Sequence, residues 1–219
     1  MTTTGFAAAR ANMVDCQVRT SDVTEPSLVA AMRAVPRERF VPEALASLAY
    51  MSEAIEVAPG RFLLDPRSFA KLAQLAEIKP TDSVLDVGGT TGYSAAVLSR
   101  LAGSVVALEV DPALSARAST LLAEQGVSNA KTVTGALREG YAAAAPYDVI
   151  FLNGAVADRP DGLIAQLKPG GRLVGIVTDN GVGKAHIFVK ASSGTSSRIA
   201  FDSPAAALPG FAAAPSFVF

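Results

Sequence analysis

The chain has little of what builds a disulfide framework or a zinc site. Its 219 residues include one cysteine, Cys16, and one histidine, His186. A single cysteine cannot form an internal disulfide, so a disulfide scaffold is excluded and a reducing compartment is favoured. Thiolate and imidazole ligands are too few for the usual zinc sites. The sequence therefore predicts that the protein holds no metal ion.

An excess of charge of either sign is also missing. Nineteen Lys and Arg residues face twenty Asp and Glu residues, and the pI is about 5.9. This balance argues against a charge-driven nucleic-acid binder, although it leaves a local basic patch open. No run of 18 apolar residues occurs, and Arg10 and Asp15 precede any apolar stretch of signal-peptide length. We therefore expect a cytoplasmic protein with neither nucleic-acid nor membrane partners.

From about residue 66, apolar strand-like runs alternate with helical stretches. This order predicts an α/β fold, a doubly wound and mostly parallel sheet with helices on both faces. A final pair of runs around a Ser/Gly/Thr turn predicts a hairpin at the sheet edge. The predicted strands are 83–87, 105–110, 131–134, 149–152 and 172–177, the helices 66–75, 92–101, 112–125 and 161–167, and the hairpin strands 185–190 and 198–201.

The first 65 residues have a different pattern. Helical periodicity covers 7–20 and 26–35, where Thr24 is placed to cap and Pro26 fits the first turn. A short helix is predicted over 43–50, and extended pieces flank Pro59-Gly60 within 55–64. We therefore divide the chain into an N-terminal helical and extended appendage, 1–65, and an α/β domain, 66–219, which ends in an alanine-rich tail, 204–219.

The strongest chemical signal is the run from Val84 to Tyr93, in which an apolar strand leads through Gly88-Gly89-Thr90-Thr91-Gly92 into a helix. Glycines let a backbone approach a ligand closely, and the helix N-terminus offers free N–H groups. A dinucleotide fingerprint that starts at Gly88 also needs glycine at 90 and 93, where Thr90 and Tyr93 stand. A nicotinamide cofactor is therefore disfavoured.

Glu109 ends the next strand, 21 residues after Gly88. An acid at about this distance is placed to accept hydrogen bonds from ribose hydroxyls. A tight turn followed by an incidental acid is the alternative interpretation. Asn153 and Gly154 close the fourth strand, where ligands of doubly wound sheets gather, but a plain turn explains them almost as well.

The sequence resembles the class I S-adenosylmethionine-dependent methyltransferases and, within them, the protein-L-isoaspartate O-methyltransferase family. The resemblance extends to about residue 177. Its most specific part is the N-terminal pair Met13-Val14-Asp15-Cys16-Gln17 and Ala31-Met32-Arg33-Ala34-Val35-Pro36-Arg37-Glu38-Arg39-Phe40-Val41-Pro42. Tyr147-Asp148-Val149-Ile150-Phe151 and Gln166-Leu167-Lys168-Pro169-Gly170-Gly171-Arg172-Leu173-Val174 match the fourth and fifth strand regions, which many methyltransferases share.

This resemblance implies a Rossmann-like methyltransferase fold, S-adenosyl-L-methionine as cofactor, and isoaspartyl carboxylates of damaged proteins or peptides as methyl acceptors. The cofactor would lie across the carboxyl ends of the first strands, its methionine part over the glycine-rich turn and its ribose on Glu109. The expected cofactor-binding residues are Asp86, Gly88, Gly89, Thr90, Thr91, Gly92, Glu109, Gly135 and Ala136.

The chain departs from the family's pattern at the acceptor. A Ser-Ala-Pro-His type segment, whose serine helps to hold the substrate carboxylate, is replaced by Leu64-Asp65-Pro66-Arg67. Catalytic residues are therefore open, with Arg67 and Ser68 as candidates. Arg67 could bind a carboxylate through its planar guanidinium group, but a solvated cation at a helix start is the simpler interpretation.

Two further departures concern the cofactor. Thr90 replaces the middle glycine of the usual turn, and a β-branched residue tolerates fewer backbone conformations than glycine. Ala136 replaces the acid that usually reads the adenine amino group. We expect weaker affinity, or adenine held by backbone groups.

Four hypotheses follow in decreasing order. They are isoaspartyl methylation, methylation of another acceptor, a cofactor-binding or regulatory protein with little catalysis, and a nicotinamide oxidoreductase. The scarcity of histidine does not oppose the first, because a carboxylate is already ionised at neutral pH and needs no general base.

Overall fold

The structure of the protein is a computed structural model, and it is described for residues 3–179 and 181–211. The main sheet has seven strands: β3 (Ser83–Val87), β4 (Ser104–Glu109), β5 (Ala130–Thr134), β6 (Tyr147–Val156), β7 (Leu167–Asp179), β8 (Val182–Ala191) and β9 (Gly194–Asp202). Their order is β5-β4-β3-β6-β7-β8-β9, parallel from β5 to β7 and antiparallel from β7 to β9. The fold class and the edge hairpin predicted from the sequence are confirmed.

A separate two-stranded hairpin, β1 (Ile55–Ala58) and β2 (Arg61–Leu63), precedes the sheet and turns at Gly60. It corresponds to the extended pieces predicted within 55–64. The α-helices are α1 (Thr3–Met13), α2 (Pro26–Ala34), α3 (Pro66–Leu75), α4 (Tyr93–Leu98), α5 (Pro112–Glu124) and α6 (Asp161–Ile164).

Helices α2, α3 and α5 each begin at a proline that follows an acidic N-cap. Proline suits this position because its missing N–H would have had no helical partner, and the carboxylate accepts from free N–H groups. The expectation that Thr24 caps α2 is wrong, because the Glu25 carboxylate accepts from the Ser27 N–H. The Thr24 N–H instead donates to Gln74 at 2.7 Å.

Several predicted boundaries also differ. The helix expected over 7–20 changes at Met13 into a π-helix (Val14–Val18) and then a 3-10 turn that ends before left-handed Asp22. The helix expected over 43–50 is a 3-10 helix, Glu43–Leu48. The predicted helices 92–101 and 161–167 are shorter in the structure, and β6 and β7 are longer than predicted.

Two apolar clusters cover the two faces of the sheet. The first cluster joins the N-terminal segments to the sheet, since buried Met32 and Phe40 belong to it together with Val84 and Val149. A chain of aromatic contacts runs through this cluster, with ring centroids 5.4–5.8 Å apart, from Phe40 to Tyr93, Phe69 and Phe151. The N-terminal elements are therefore packed directly beneath the start of α4.

Within residues 3–179 and 181–211, no helix has the length and apolar character needed to cross a bilayer. The same residues bring no three His, Cys, Asp or Glu side chains together as a metal-binding group.

The fully buried carboxylate of Asp86 ties β3 to α4 and to β6. Its two oxygens accept from Ser94 Oγ on α4 and from Asn153 Nδ2 on β6, each at 2.6 Å. Burial raises the pKa of Asp86 to about 6, although both hydrogen bonds oppose this shift by stabilising the charged form; the nearby Glu109 charge raises it further. The folded protein therefore holds the Asp86 proton more tightly than the unfolded chain, whose aspartates titrate near 3.8.

This difference predicts a pH dependence of stability. The stabilisation that protonated Asp86 contributes to the free energy of unfolding is fully present below about pH 4. It is lost as pH rises through about 6, and the total loss is on the order of 3 kcal/mol. Urea denaturation of the wild type and Asp86→Asn at several pH values should show the wild type losing stability relative to the variant between pH 4 and 7. The exposed-site control Asp202→Asn should show no such trend. A pH-independent difference for Asp86→Asn would contradict the raised pKa.

Candidate functional site

The glycine-rich turn lies between β3 and α4, at the carboxyl end of the parallel strands. Gly88, Thr90 and Gly92 have φ of 73°, 54° and 92°, a left-handed conformation that is costly for a β-branched residue such as Thr90. At Gly89 a Cβ would lie 2.5 Å from Ser94 Oγ and 2.6 Å from Asp86 Oδ2. The turn therefore depends on glycine at 89, and it holds Thr90 in a strained conformation.

Glu109, at the end of β4, anchors this turn. Its side chain is almost fully buried, and Oε2 accepts from the Thr90 N–H at 2.9 Å. The other oxygen accepts from the N–H groups of Val110 at 2.9 Å and Asp111 at 3.3 Å. The predicted site residues Asp86, Gly88–Gly92 and Glu109 are therefore brought together, as doubly wound sheets require.

Arg61 on β2 completes the set of partners of Glu109. Its Nη2 lies 2.7 Å from Glu109 Oε2 and 3.2 Å from the Gly88 carbonyl oxygen. Both side chains of this ion pair are less than a tenth exposed. Removal of one partner from such a buried pair costs about 3–5 kcal/mol, because the other charge is left without compensation.

The segment after β9 covers the same turn from the other side. Ala206 O accepts from the Ala155 N–H, and the Leu208 N–H donates to Ala155 O, both at 2.8 Å. The Leu208 side chain fills the space left by two glycines: Cβ atoms at Gly88 and Gly154 would lie 2.7 and 2.9 Å from Leu208 Cδ2. Of the predicted alanine-rich tail, residues 212–219 lie outside the described residues.

The residues expected to contact the acceptor are not gathered at one point. Leu64 is buried, and its carbonyl oxygen accepts from Arg37 Nη2 at 2.7 Å. Arg67 is exposed at the first turn of α3. The Ser68 hydroxyl is buried and lies 2.7 Å from that of Ser203. Ser68 therefore already has a partner, and Arg67 faces solvent.

Two small cavities of about 10 and 20 Å³ adjoin Leu64, and Asn153 lines both. The smaller also touches Gly89 and the buried Arg37, whose Nη1 has no hydrogen-bond partner among the described residues. A groove of about 690 Å³ lies elsewhere, between the starts of α2 and β3, and contains none of the predicted site residues. The site residues predicted from the sequence therefore lie in a tightly packed part of the molecule.

Gly135 and Ala136 follow β5 at the same edge of the sheet. The Gly135 N–H donates to the Glu109 carbonyl oxygen at 3.0 Å, which fixes this loop beside the end of β4. Ala136 is exposed and precedes a 3-10 turn, Leu137–Glu139. No acidic side chain stands at 136, so an adenine ring here would have backbone groups and Leu137 as neighbours.

Arg61 and Leu208 are not among the site residues predicted from the sequence. A signal for Arg61 existed, since strand alternation places it on the same face of β2 as Leu63, and both are buried. No comparable signal marked Leu208, because its contacts with residues 88 and 154 are not local. Thr90 Oγ1 and Arg61 Nε are buried without a hydrogen-bond partner among the described residues.

The chain is similar to proteins of one family. Residues 9–201 match the family model described as protein-L-isoaspartate(D-aspartate) O-methyltransferase. A protein-L-isoaspartate O-methyltransferase of Koribacter versatilis is 39% identical over 171 residues, 78% of this chain and 77% of that one. One of Methanoculleus marisnigri is 38% identical over 165 residues, 75% of each chain.

Two solved structures share the fold. One, a protein-L-isoaspartate O-methyltransferase, superimposes with a TM-score of 0.80 at 24% identity over 92% of this chain and 66% of that chain. The other is a Plasmodium falciparum protein assigned to the same family, in complex with S-adenosyl-L-homocysteine; its TM-score is 0.78 at 16% identity over 91% and 97% of the two chains. From the family model and the relatives together, the chain belongs to the protein-L-isoaspartate(D-aspartate) O-methyltransferase family.

Proposed function

We propose that this protein transfers the methyl group of S-adenosyl-L-methionine to the carboxylate of an isoaspartyl residue in a damaged protein or peptide. The observation that carries the proposal is the glycine-rich turn with Glu109 beside it, at the carboxyl end of the sheet and within the matched residues 9–201. We also propose that residues 66–219 bind the cofactor and that residues 1–65 form the appended layer that covers α3 and α4.

The polar groups at the turn fit the cofactor. Glu109 is placed as a ribose acceptor at the end of β4, and Gly88 and Gly89 carry no side chains of their own that would separate the backbone from a ligand. In this structure the Leu208 side chain lies over Gly88. The partnerless Thr90 Oγ1 is a further polar group at the same place. Asp86 acts indirectly, since its bonds to Ser94 and Asn153 fix the turn relative to β6.

When bound, S-adenosylmethionine supplies an electrophilic methyl group on a sulfonium. The acceptor carboxylate, with an ordinary pKa near 4, is already ionised at neutral pH. The chain therefore has to position the carboxylate in line and to exclude water around it, and it needs no general base. Buried Leu64 and Phe69 beside Gly89 provide the apolar wall for this task.

One observation favours a second candidate function, a methyltransferase with another acceptor or a cofactor-binding protein with little catalysis. The serine of the family's acceptor segment is absent, and Leu64 places an apolar side chain there. Neither candidate takes the place of this serine in the structure. Arg67 is exposed to solvent, and the Ser68 hydroxyl is hydrogen-bonded to that of Ser203.

Methyl transfer to matched peptides tests the proposed function. With labelled S-adenosylmethionine, we expect transfer to an isoaspartyl peptide and none to the same sequence with ordinary aspartate.

Glu109→Ala should weaken cofactor binding, because the ribose hydroxyls lose their acceptor. Calorimetry measures this effect. An unchanged dissociation constant would show that the ribose lies elsewhere, and equal labelling of both peptides would contradict the assigned acceptor.

The rate should be limited by the missing serine. A hydrogen bond to a charged group is worth roughly 1.5–3 kcal/mol, on the order of 10- to 150-fold in rate. We therefore expect slow isoaspartyl methylation by the wild type and a faster rate for Leu64→Ser at saturating cofactor. Leu64→Ala is the matched control, since it removes similar volume without adding a hydroxyl. Equal rates for the two variants, or a wild type as fast as typical enzymes, would contradict the argument.

A further inference from the structure

Arg61 and Leu208 contact Glu109 and Gly88, two of the residues to which the cofactor is assigned. We propose that these two side chains form an internal closure of the S-adenosylmethionine site, and that the cofactor binds only when both are displaced. Arg61 holds the ribose acceptor Glu109 and the carbonyl of Gly88, while Leu208 covers Gly88 itself. This inference rests on the proposed function, because it assumes that the turn is a cofactor site.

The hydrogen bonds of Glu109 show why ribose and Arg61 compete. An ionised carboxylate has about four acceptor positions. Three are filled by the backbone N–H groups of Thr90, Val110 and Asp111, and the fourth by Arg61. Because the backbone donors are fixed by the fold, ribose hydroxyls gain this acceptor by replacing Arg61.

Leu208 competes with the cofactor for the space beside Gly88. Its Cδ2 atom would lie 2.7 Å from a Cβ at Gly88, so the face that glycine leaves open to a ligand is already filled. Leu208 is itself almost fully buried. A ligand that approaches this backbone therefore has to move Leu208 away.

Arg61 and Leu208 both lie on elements that can move relative to the main sheet. Arg61 lies on a two-stranded hairpin outside the main sheet, and such hairpins have little stability of their own. The segment of Leu208 joins β6 through an isolated bridge between Ala155 and Ala207, and Ala206 and Ala207 are exposed. Exposed residues such as Ala206 and Ala207 are typical of segments that open locally, whereas buried Phe211 keeps the end of this segment in the core.

A closure of this kind lowers the apparent affinity by the fraction of molecules that are open. Calorimetric titration with S-adenosylmethionine should therefore give a dissociation constant at least tenfold lower for Arg61→Gln than for the wild type, and a lower one for Leu208→Ala. Arg198→Gln, which changes an exposed arginine on β9, is the matched control and should leave the constant unchanged. Equal or weaker binding by both closure variants overturns the proposal.

The contribution of Arg61 can be separated from that of Leu208 by ligand chemistry. Adenosine carries the two ribose hydroxyls, and 2′,3′-dideoxyadenosine lacks both. Arg61→Gln should tighten the binding of adenosine more than that of the dideoxy compound, whereas Leu208→Ala should affect the two alike. The same gain for both ligands in Arg61→Gln would show that Arg61 does not compete for Glu109.

Hydrogen exchange tests the wild type directly and does not depend on whether a variant folds. The amides of Ala155 and Leu208 are hydrogen-bonded in the closed arrangement. Saturation with S-adenosylhomocysteine should accelerate their exchange, while the amides of β8 remain protected. Unchanged or slower exchange at both amides overturns the displacement of the segment.

These results distinguish the closure from the proposed function. If the closure variants bind the cofactor more tightly but transfer no methyl group to the isoaspartyl peptide, the proposed function fails and the closure stands. If the wild type transfers methyl and neither substitution changes affinity, the closure fails alone. Absence of binding in the wild type and in both variants also overturns the closure, since its removal should open the site.

Discussion

The buried carboxylate of Glu109 holds the carboxyl edge of the sheet together. It joins the end of β4 to the glycine-rich turn through Thr90, to the start of α5 through Asp111, and to the β1–β2 hairpin through Arg61. A buried charge is tolerated only when it is paired and hydrogen-bonded, and here both conditions are met. The positions of three separate loops therefore depend on one side chain.

Asp86 shows what happens to a second buried carboxylate at the same place without a cation. Its partners, Ser94 and Asn153, are neutral, and burial raises its pKa to about 6. The Glu109 charge adds to this rise. Displacement of Arg61 would leave the two acidic groups, Glu109 and Asp86, at the turn without the ion pair that now neutralises Glu109. Such a pair favours a positively charged ligand, and S-adenosylmethionine carries a sulfonium.

The parallel sheet could be predicted from the sequence because its signals are local. Apolar runs alternate with helical stretches, two of which, α3 and α5, begin at a proline after a capping aspartate, and the turn after β3 is marked by its glycines. The π-helix at Val14–Val18 and the Glu25 cap were missed because hydrogen bonds, and not apolar spacing, decide them. Strand alternation at Arg61 did carry a signal, but the partner of this arginine stands 48 residues away. Leu208 lies further still, 120 residues from Gly88, and only the folded chain brings the two together.

Leu64, Arg61 and Leu208 lie close together at the carboxyl end of the sheet. Leu64 and Arg61 stand on the same short stretch, and Asn153 and Phe62 line both small cavities beside Leu64. The glycines at 88 and 154 accept a leucine from the tail at the same end of the sheet. In the proposed site, an apolar residue in place of the acceptor serine, a cation on the assigned ribose acceptor and a side chain over the turn each reduce access to one part of the site. Family membership therefore fixes the reaction class, and under the proposed closure the rate depends on how readily this packed end of the sheet opens.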